Sequence, residues 1–219
     1  PGLPTTMWGY NGMVPGPTID ATQGRKIVVR HSNLLPNNPQ LGYETHTSVH
    51  LHGSASLPQY DGYASDITPQ QSWKDYHYPN FQPARTLWYH DHGVHITAPN
   101  AYMGLAGMYR MFDPNERSLP LPKGKYDVPL IVRDALFDDQ GQLLFDDADN
   151  AGIMGNVNLV NGVPWPVMQV ERRKYRFRIL NGSISRSYRW ALSTGAAFTI
   201  IGTDGGLVPT PITVGTFRH

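Results

Sequence analysis

Residues 48–53 read SVHLHG and residues 84–97 read ARTLWYHDHGVHIT. Each stretch contains a predicted strand, at residues 48–52 and 86–92, and each carries a His-x-His-Gly motif. The four histidines of the motifs are His50, His52, His90 and His92. Side chains two residues apart on a β-strand project from the same face, about 7 Å apart. Two such strands side by side would direct four imidazoles at a common point, so these stretches predict β-structure that carries a metal site.

The residue types narrow the chemistry of this site. Seven of the nine histidines lie between residues 46 and 95, and the chain contains no cysteine. The absence of cysteine excludes disulfides, Cys-based zinc sites, iron–sulfur clusters and thiolate copper sites within this chain. Neutral imidazole binds copper, zinc, iron and nickel. The ligand type alone therefore leaves the metal open.

Five further residues are weaker candidates. His95 extends the second motif to His-x-His-x-x-His, and we favour packing, or contact with a ligand, over a role as fifth ligand. We interpret His31, His46 and His77, which have no partner at a ligand spacing, as surface residues or neighbours of a ligand. Asp61 follows the first motif inside a Tyr-Asp-Gly-Tyr turn. Its spacing fits equally a proton donor to a metal-bound water and a turn-forming Asp before Gly.

The composition favours an all-β chain. Of 219 residues, 22 are glycine, 19 are proline and 11% are aromatic, which is typical of many short strands joined by turns. One short helix is predicted at residues 98–103, and a long polar loop is predicted between the two histidine motifs. The other predicted strands are residues 18–20, 26–31, 108–112, 127–134, 157–160, 174–180 and 197–202.

Charge and hydropathy argue against two classes of partner. A formal net charge of +1 gives no basic footprint for nucleic acid and no polybasic patch for a membrane surface. No run approaches the ~18 apolar residues of a membrane-spanning helix, and the first residues do not read as a signal peptide. Because the sequence opens without Met, it is compatible with a leader removed during export.

A break in composition divides the chain. Residues 113–125 (DPNERSLPLPKGK) combine three prolines with mixed charges, and we interpret residues 114–125 as a linker between a first domain, residues 1–113, and a second, residues 126–219. The second domain is short for a β-sandwich of ~100 residues or more, so we expect it to be incomplete. Within it, the acidic residues 146–149 lack the Glu of an EF-hand calcium loop and are interpreted as a solvated loop.

The strand at residues 174–180 (KYRFRIL) alternates strictly between two faces. Aromatic and aliphatic side chains share one face, and Lys174, Arg176 and Arg178 share the other. We favour a solvated strand face for the three basic residues. A ribbon that binds nucleic acid is the alternative.

Seven segments together form a pattern found in one known family. They are residues 10–19 (YNGMVPGPTI), 49–53 (VHLHG), 60–66 (YDGYASD), 84–97, 100–109 (NAYMGLAGMY), 160–188 and 201–208 (IGTDGGLV). The chain resembles the first two domains of multicopper oxidases, and most of all the branch of bilirubin oxidases, spore-coat laccases and phenoxazinone synthase-like enzymes. The resemblance implies cupredoxin-like Greek-key β-sandwich domains, one complete and a second incomplete.

The resemblance also implies a specific copper chemistry. The resemblance implies an oxidase built from three cupredoxin domains. In such an enzyme, a type 1 copper in the third domain takes electrons from a reducing substrate. A trinuclear cluster between the first and third domains then reduces dioxygen to water. By motif position, His50 is similar to a ligand of the type 2 copper, and His52, His90 and His92 are similar to ligands of the type 3 pair. Asp61 falls where the laccase branch has a proton-supplying carboxylate. The implied reductants are phenols, aminophenols or bilirubin-like molecules.

The sequence also departs from the family pattern. It lacks two further His-rich motifs, one of them the His-Cys-His that joins the type 1 and type 3 coppers. It would therefore supply about half of the trinuclear ligands and no type 1 site. We expect a second polypeptide that carries the rest of the second domain and the third cupredoxin domain. From the family we also expect a secreted or exported protein.

Two alternatives from other functional classes stay open. One is a zinc hydrolase with a metal-bound hydroxide, which is disfavoured because neither motif continues into His-x-His-x-Asp. The other is a non-enzymatic copper-binding module.

Overall fold

Strands form most of the regular structure, as the composition predicts. The computed structural model describes residues 3–37, 44–145 and 152–219. The strands are β1 (Gly16–Thr22), β2 (Ile27–Asn33), β3 (Val49–His52), β4 (Ser72–Tyr78), β5 (Arg85–Asp91), β6 (Ala106–Phe112), β7 (Asp127–Ala135), β8 (Val157–Val160), β9 (Val163–Pro164), β10 (Arg176–Asn181), β11 (Arg189–Ala191), β12 (Phe198–Thr203), β13 (Gly206–Val214) and β14 (Thr216–Arg218). The helices are α1 (Thr97–Met103) and α2 (Pro114–Ser118), and short 3-10 turns span Pro58–Tyr60 and Gly124–Tyr126. Within the described ranges, no helix combines the length and apolar character needed to cross a membrane.

The N-terminal half folds into two sheets that share one apolar core. Strand β5 lies between β3 and β6 and is antiparallel to both, while β1 runs parallel to β6 at the edge. Strands β2 and β4 form the other sheet. Both sheets contribute inward-facing side chains to the core, among them Val49, Leu51, Tyr76, Leu87 and Tyr109. The alternation predicted for the two histidine strands is therefore confirmed, with their apolar residues buried on one face.

Strand β4 shows that the prediction of an unbroken polar loop between the two histidine motifs was wrong. Residues Ser72–Tyr78 (SWKDYHY) pair along their whole length with β2. Tyr76 and Tyr78 are at most 2% exposed, and the Tyr76 hydroxyl accepts a hydrogen bond from the Val49 N–H at 3.0 Å. A tyrosine ring buries a large apolar area while its hydroxyl finds a polar partner. The segment reads as polar because its inward positions hold tyrosines rather than aliphatic residues.

Among the described residues, the C-terminal half contains one four-stranded sheet and two two-stranded sheets. Strand β7 pairs with β10 in parallel and with β8 antiparallel, and β9 adds a short edge to β8. Strands β12 and β13 form a hairpin, and β11 pairs with β14. The strands predicted in this half are confirmed as β7, β8, β10 and β12. The acidic residues 146–149, interpreted as a solvated loop, lie outside the described residues.

A second apolar core connects the two halves. Trp8, Tyr102 and Leu105 from the N-terminal half pack with Ala135 and Leu159 from the C-terminal half. All five side chains are less than 4% exposed. The halves therefore share buried apolar area, and the domain boundaries at residues 113 and 126 stay a prediction.

The segment interpreted as a linker begins with an ordered helix, α2. The Asp113 carboxylate caps this helix by accepting a hydrogen bond from the Glu116 N–H at 2.6 Å, and it also accepts one from the Ala84 N–H at 2.7 Å. Aspartate followed by proline is a strong helix-start signal. Glu116 is 2% exposed, so the start of the segment is fastened to the fold rather than free in solvent.

The basic face of β10 contradicts the prediction of a solvated strand face. The Arg178 guanidinium donates to both carboxylate oxygens of Asp127, at 2.8 and 2.9 Å, and to the Thr86 hydroxyl at 2.8 Å. Arg176 forms an ion pair with Glu116. The side chains of Arg176 and Arg178 are 9% and 3% exposed, whereas Lys174 is exposed. The face is buried because acidic residues from α2 and β7 neutralise it.

Candidate metal centre

The pairing of β3 with β5 brings the two histidine motifs together. His50 lies directly opposite His90 in the antiparallel register. Val49 and Leu51 point into the apolar core, so the intervening histidines must project from the other face. His90 is 6% exposed, His50 is half-buried and His52 is exposed. The face they share therefore combines a buried ligand with one that is open to solvent.

Three of the four imidazoles have the spacing of a metal site. One ring nitrogen from each of His50, His52 and His90 lies within 4.8 Å of the other two. His52 Nδ1 lies 3.4 Å from His90 Nε2. Burial lowers the pKa of His90 to about 4 and also lowers that of His52, and the neighbouring imidazoles act in the same direction. The neutral imidazole that prevails above these pKa values is the form that binds a metal.

Backbone carbonyls fix the orientation of two of these rings. His50 Nδ1 donates to the main-chain oxygen of Asp61 at 2.5 Å, and His90 Nδ1 donates to the main-chain oxygen of Asp91 at 2.7 Å. A ligating histidine commonly donates its second ring N–H to a carbonyl or carboxylate, which sets its tautomer and its angle. In both histidines Nε2 is therefore the atom left for a metal.

His92 lies beside this group as a fourth imidazole. Its ring centroid is 5.3 Å from that of His50 and 5.8 Å from that of His90. Its Nδ1 is buried and has no hydrogen-bond partner in the described structure. A buried polar atom without a partner is destabilising unless something satisfies it. An imidazole cluster with an unsatisfied ring nitrogen fits a bound copper, which takes imidazole ligands readily.

Asp61 contributes to the centre first through its backbone. Its carboxylate Oδ1 lies 3.7 Å from His50 Nδ1, which is too long for a hydrogen bond, and its side chain is 39% exposed. The next residue, Gly62, has φ +73°, and a Cβ there would lie 2.2 Å from the Val49 carbonyl oxygen. Glycine therefore lets the turn lie against β3 and bring the Asp61 carbonyl to His50. The carboxylate is left facing both the imidazole and solvent.

Three further histidines do not belong to the group of His50, His52 and His90. His95 is exposed and has a left-handed backbone conformation with φ 63°, and it does not join the group of three. His77 stacks on Tyr60 with centroids 4.6 Å apart. His31, interpreted from the sequence as a surface residue or a neighbour of a ligand, packs instead between Tyr10 and Tyr76, with each ring centroid 5.4 Å from its own.

Two residues of the centre had no role in the sequence interpretation. Trp88 stacks on His90 with centroids 4.1 Å apart and on His52 at 5.3 Å, and its position two residues before His90 on β5 is the signal that places it on the same face. Asp91 is fully buried on the opposite face. An aspartate between two outward-facing histidines on a core strand must point inward, so the alternation alone could have identified it.

Comparison with known proteins identifies the family of this chain. The model of the family described as multicopper oxidase matches residues 1–116. The chain belongs to the multicopper oxidase family. The resemblance stated from the sequence is confirmed, and so is the cupredoxin-like Greek-key β-sandwich class of the fold.

A bilirubin oxidase and two laccases are similar to this chain over nearly its whole length. The chain is 46% identical over 211 residues to the bilirubin oxidase of Albifimbria verrucaria, covering 93% of this chain and 36% of that protein. It is 38% identical over 248 residues to the laccase of Bacillus subtilis strain 168, covering 98% and 48%. A crystal structure of the laccase from Pediococcus acidilactici superposes with a TM-score of 0.91 at 33% identity, covering 100% and 46%. The chain thus spans between about a third and a half of the length of these relatives.

Proposed function

We propose that this chain supplies imidazole ligands to the copper centre of an oxidase similar to laccase and bilirubin oxidase. The enzyme would couple one-electron oxidation of phenolic, aminophenol or bilirubin-like donors to the four-electron reduction of dioxygen to water. The observation that carries the proposal is the register of β3 and β5, which sets His50 opposite His90 and leaves their Nε2 atoms available. Two relatives with these activities in their names, a bilirubin oxidase and a laccase, support the substrate class.

Copper would be held by all four histidines of the two motifs. From the resemblance, His50 would bind the type 2 copper, and His52, His90 and His92 the type 3 pair. Copper bound there supplies single-electron redox chemistry toward dioxygen. The protein's part is to present neutral imidazoles at a fixed spacing, and the main-chain oxygens that accept from His50 and His90 do this without adding charge.

The surroundings of the imidazoles suit such a centre. The indole ring of Trp88 stacks on His90 and His52 and covers one side of the rings. Asp61 has a carboxylate that is partly open to solvent and 3.7 Å from His50 Nδ1. Reduction of dioxygen to water consumes protons, and a carboxylate in this place can take protons from solvent at Oδ1 and release them toward the imidazole face.

The rest of the enzyme would come from polypeptide outside these 219 residues. The chain has no cysteine for a type 1 copper, and the two motifs give about half of the ligands that the resemblance implies. We propose a second polypeptide that carries the third cupredoxin domain and the rest of the second. Dioxygen and a small aromatic reductant are the proposed substrates, and we propose export from the cytoplasm as the setting.

Oxygen consumption by matched histidine variants tests the proposal. In the complete, copper-loaded protein, His52→Ala removes an imidazole from the group of three, whereas His95→Ala changes an exposed histidine outside it. We expect the first variant to abolish oxygen consumption with a phenolic donor and the second to retain it. If the wild type showed no turnover and His52→Ala only weakened copper binding, the result would support a copper-binding module instead. Bound zinc with esterase activity that a chelator removes would support the hydrolase.

A further inference from the structure

Asp91 is a buried carboxylate between two candidate copper ligands in the chain. It follows His90 and precedes His92, and it is 0% exposed. Because side chains alternate along β5, the Asp91 carboxylate lies on the face opposite the His90 imidazole. The proposed reaction does not use it. A buried carboxylate is costly to desolvate, so its presence in the core calls for a reason.

The Asp91 carboxylate accepts three hydrogen bonds from three different segments. Oδ1 accepts from the Ser48 N–H at 2.8 Å. Oδ2 accepts from the Gly93 N–H at 3.2 Å and from the Asn100 side-chain amide at 2.9 Å. Ser48 directly precedes β3, Gly93 is the last residue of the second histidine motif, and Asn100 belongs to α1. One side chain thus connects both histidine motifs to the helix.

Asn100 extends this network. It is 0% exposed, and its side-chain amide also donates to the His46 carbonyl at 3.2 Å. Its own carbonyl accepts from the Leu105 N–H at 3.1 Å, and the Leu105 carbonyl accepts from the Asp91 N–H at 3.1 Å. The segment before β3, the end of β5 and the loop after α1 therefore close around the Asp91–Asn100 contact.

The hydrogen bonds of Asp91 lie at the end of the β3–β5 ladder, next to the candidate ligands His50 and His90. The ladder covers four residue pairs and ends where Val49 faces Asp91. His92 lies beyond that end, and its N–H donates to the carbonyl of Ser48, the residue before β3, at 2.7 Å. The carboxylate of Asp91 accepts hydrogen bonds on both sides of this point, from the Ser48 N–H before β3 and from the Gly93 N–H after His92.

We propose that Asp91 and Asn100 form a positioning pair that sets the separation and orientation of the two His-x-His motifs for copper. The inference rests on the proposed function, because it assumes that these imidazoles bind copper. Groups that orient metal ligands from outside the coordination sphere typically contribute 10–100-fold to metal affinity. We expect an effect of that size here.

The test compares Asp91→Asn with Asp134→Asn in the full-length protein. Asp134 is a matched control because it is also buried, at 3% exposed, and its carboxylate accepts from the Gly155 N–H at 2.6 Å and from Arg186 Nε at 2.7 Å. Its partners lie in the C-terminal half. In Asp91→Asn, one carboxylate oxygen becomes an NH2 group, which cannot accept from the donors it now faces.

Titration of the metal-free protein with Cu²⁺ gives the readout. We expect Asp91→Asn to weaken Cu²⁺ binding about 10–100-fold and to change the electron paramagnetic resonance spectrum of the bound Cu²⁺. Asp134→Asn should lower the melting temperature and leave both the Cu²⁺ affinity and the spectrum unchanged. A loss of stability alone does not alter the spectrum of bound copper, so the two roles are separable.

A second variant keeps the test decisive if Asp91→Asn does not fold. Asn100→Ala retains the carboxylate and removes one donor, and we expect a smaller change of Cu²⁺ affinity and spectrum in the same direction. Wild-type affinity and spectrum in the folded variants would overturn the positioning pair while leaving the proposed function intact. Failure of the wild type itself to bind Cu²⁺ would overturn the proposed function and, with it, this inference.

Discussion

At the level of single residues, two main-chain oxygens determine which ring nitrogen of His50 and of His90 is available to a metal. The Asp61 carbonyl accepts from His50 Nδ1, and the Asp91 carbonyl accepts from His90 Nδ1. Side-chain substitution leaves these carbonyls in place. The contribution of each aspartate side chain can therefore be separated from that of its backbone.

Asp61→Asn is expected to retain bound copper and to slow the reduction of dioxygen. Copper should be retained because His50 is oriented by the main-chain oxygen of residue 61, which the substitution does not change. The rate falls because the amide cannot supply protons, and a positioned proton donor typically contributes 10²–10⁴-fold. We expect oxygen consumption at least about tenfold slower, measured together with copper content. Loss of copper, or an unchanged rate, would contradict the role given to this side chain.

His31 should make the stability of the chain depend on pH. Burial among Tyr10, Tyr76 and Tyr89 lowers its pKa to about 4, from ~6.5 in the unfolded chain. As the pH falls, the unfolded chain protonates this histidine before the folded chain does. The free energy of unfolding is therefore unaffected by His31 above pH ~6.5 and decreases as the pH falls toward ~4. The loss amounts to about 3 kcal/mol.

Urea unfolding of the wild type and His31→Phe at neutral and acidic pH checks this dependence. The variant keeps an aromatic ring in the site and removes the proton-binding group. We expect the wild type to lose about 3 kcal/mol more than the variant between pH 7 and pH 4. An equal loss in both proteins would show that His31 is not the group responsible.

The candidate ligands could be predicted from the sequence more readily than the residues that form hydrogen bonds around them. His50, His52 and His90 follow from alternation on two strands, and the structure brings them together. Alternation on β5 predicts that Asp91 points inward, but its contact with Asn100, nine residues further along the chain, cannot be predicted from that pattern. Hydrogen bonds between distant segments leave no periodic pattern, whereas a repeated ligand spacing does.

At the level of elements, ion pairs join the basic face of β10 to acidic residues of β7 and α2. Arg178 binds Asp127 with two hydrogen bonds and reaches Thr86 on β5, the strand that carries His90. Sequence alternation correctly divided β10 into two faces but assigned the basic one to solvent. Its acidic partners lie about fifty or more residues earlier in the chain, where no local pattern reveals them.

Arg178→Met is expected to destabilise the protein by about 3 kcal/mol or more. Removing one member of a buried ion pair leaves the carboxylates of Asp127 and Glu116 incompletely compensated, and such changes typically cost about 3–5 kcal/mol. The matched control is Arg30→Met, because Arg30 forms a similar two-bond pair with Asp75 but is 56% exposed.

Thermal and urea unfolding of the two arginine variants supply the measurement. Exposed ion pairs contribute little to stability, so the melting temperature of Arg30→Met should stay close to that of the wild type. A similar loss in both variants, or none in Arg178→Met, would contradict the assignment of the β10 face as a buried ionic layer.

At the level of the whole molecule, the candidate metal centre lies on the N-terminal half, which packs against the C-terminal half. The two halves share an apolar core that includes Trp8 and Leu159, and the imidazoles lie on the face of β5 that also carries Thr86, the partner of Arg178. The class of fold and the two motifs were predictable because strand alternation is local. Strand β4 was not, because its core positions are tyrosines in a polar-looking segment.

The copper and zinc content of the native, purified protein is the most direct test of the proposed centre. If the two motifs form half of a trinuclear site that other polypeptide completes, the preparation should contain about four coppers per 219-residue chain and little zinc. His52→Ala should lower the copper content, and His95→Ala should not. One zinc per chain, or an absence of copper after incubation with Cu²⁺, would contradict a copper centre at these histidines.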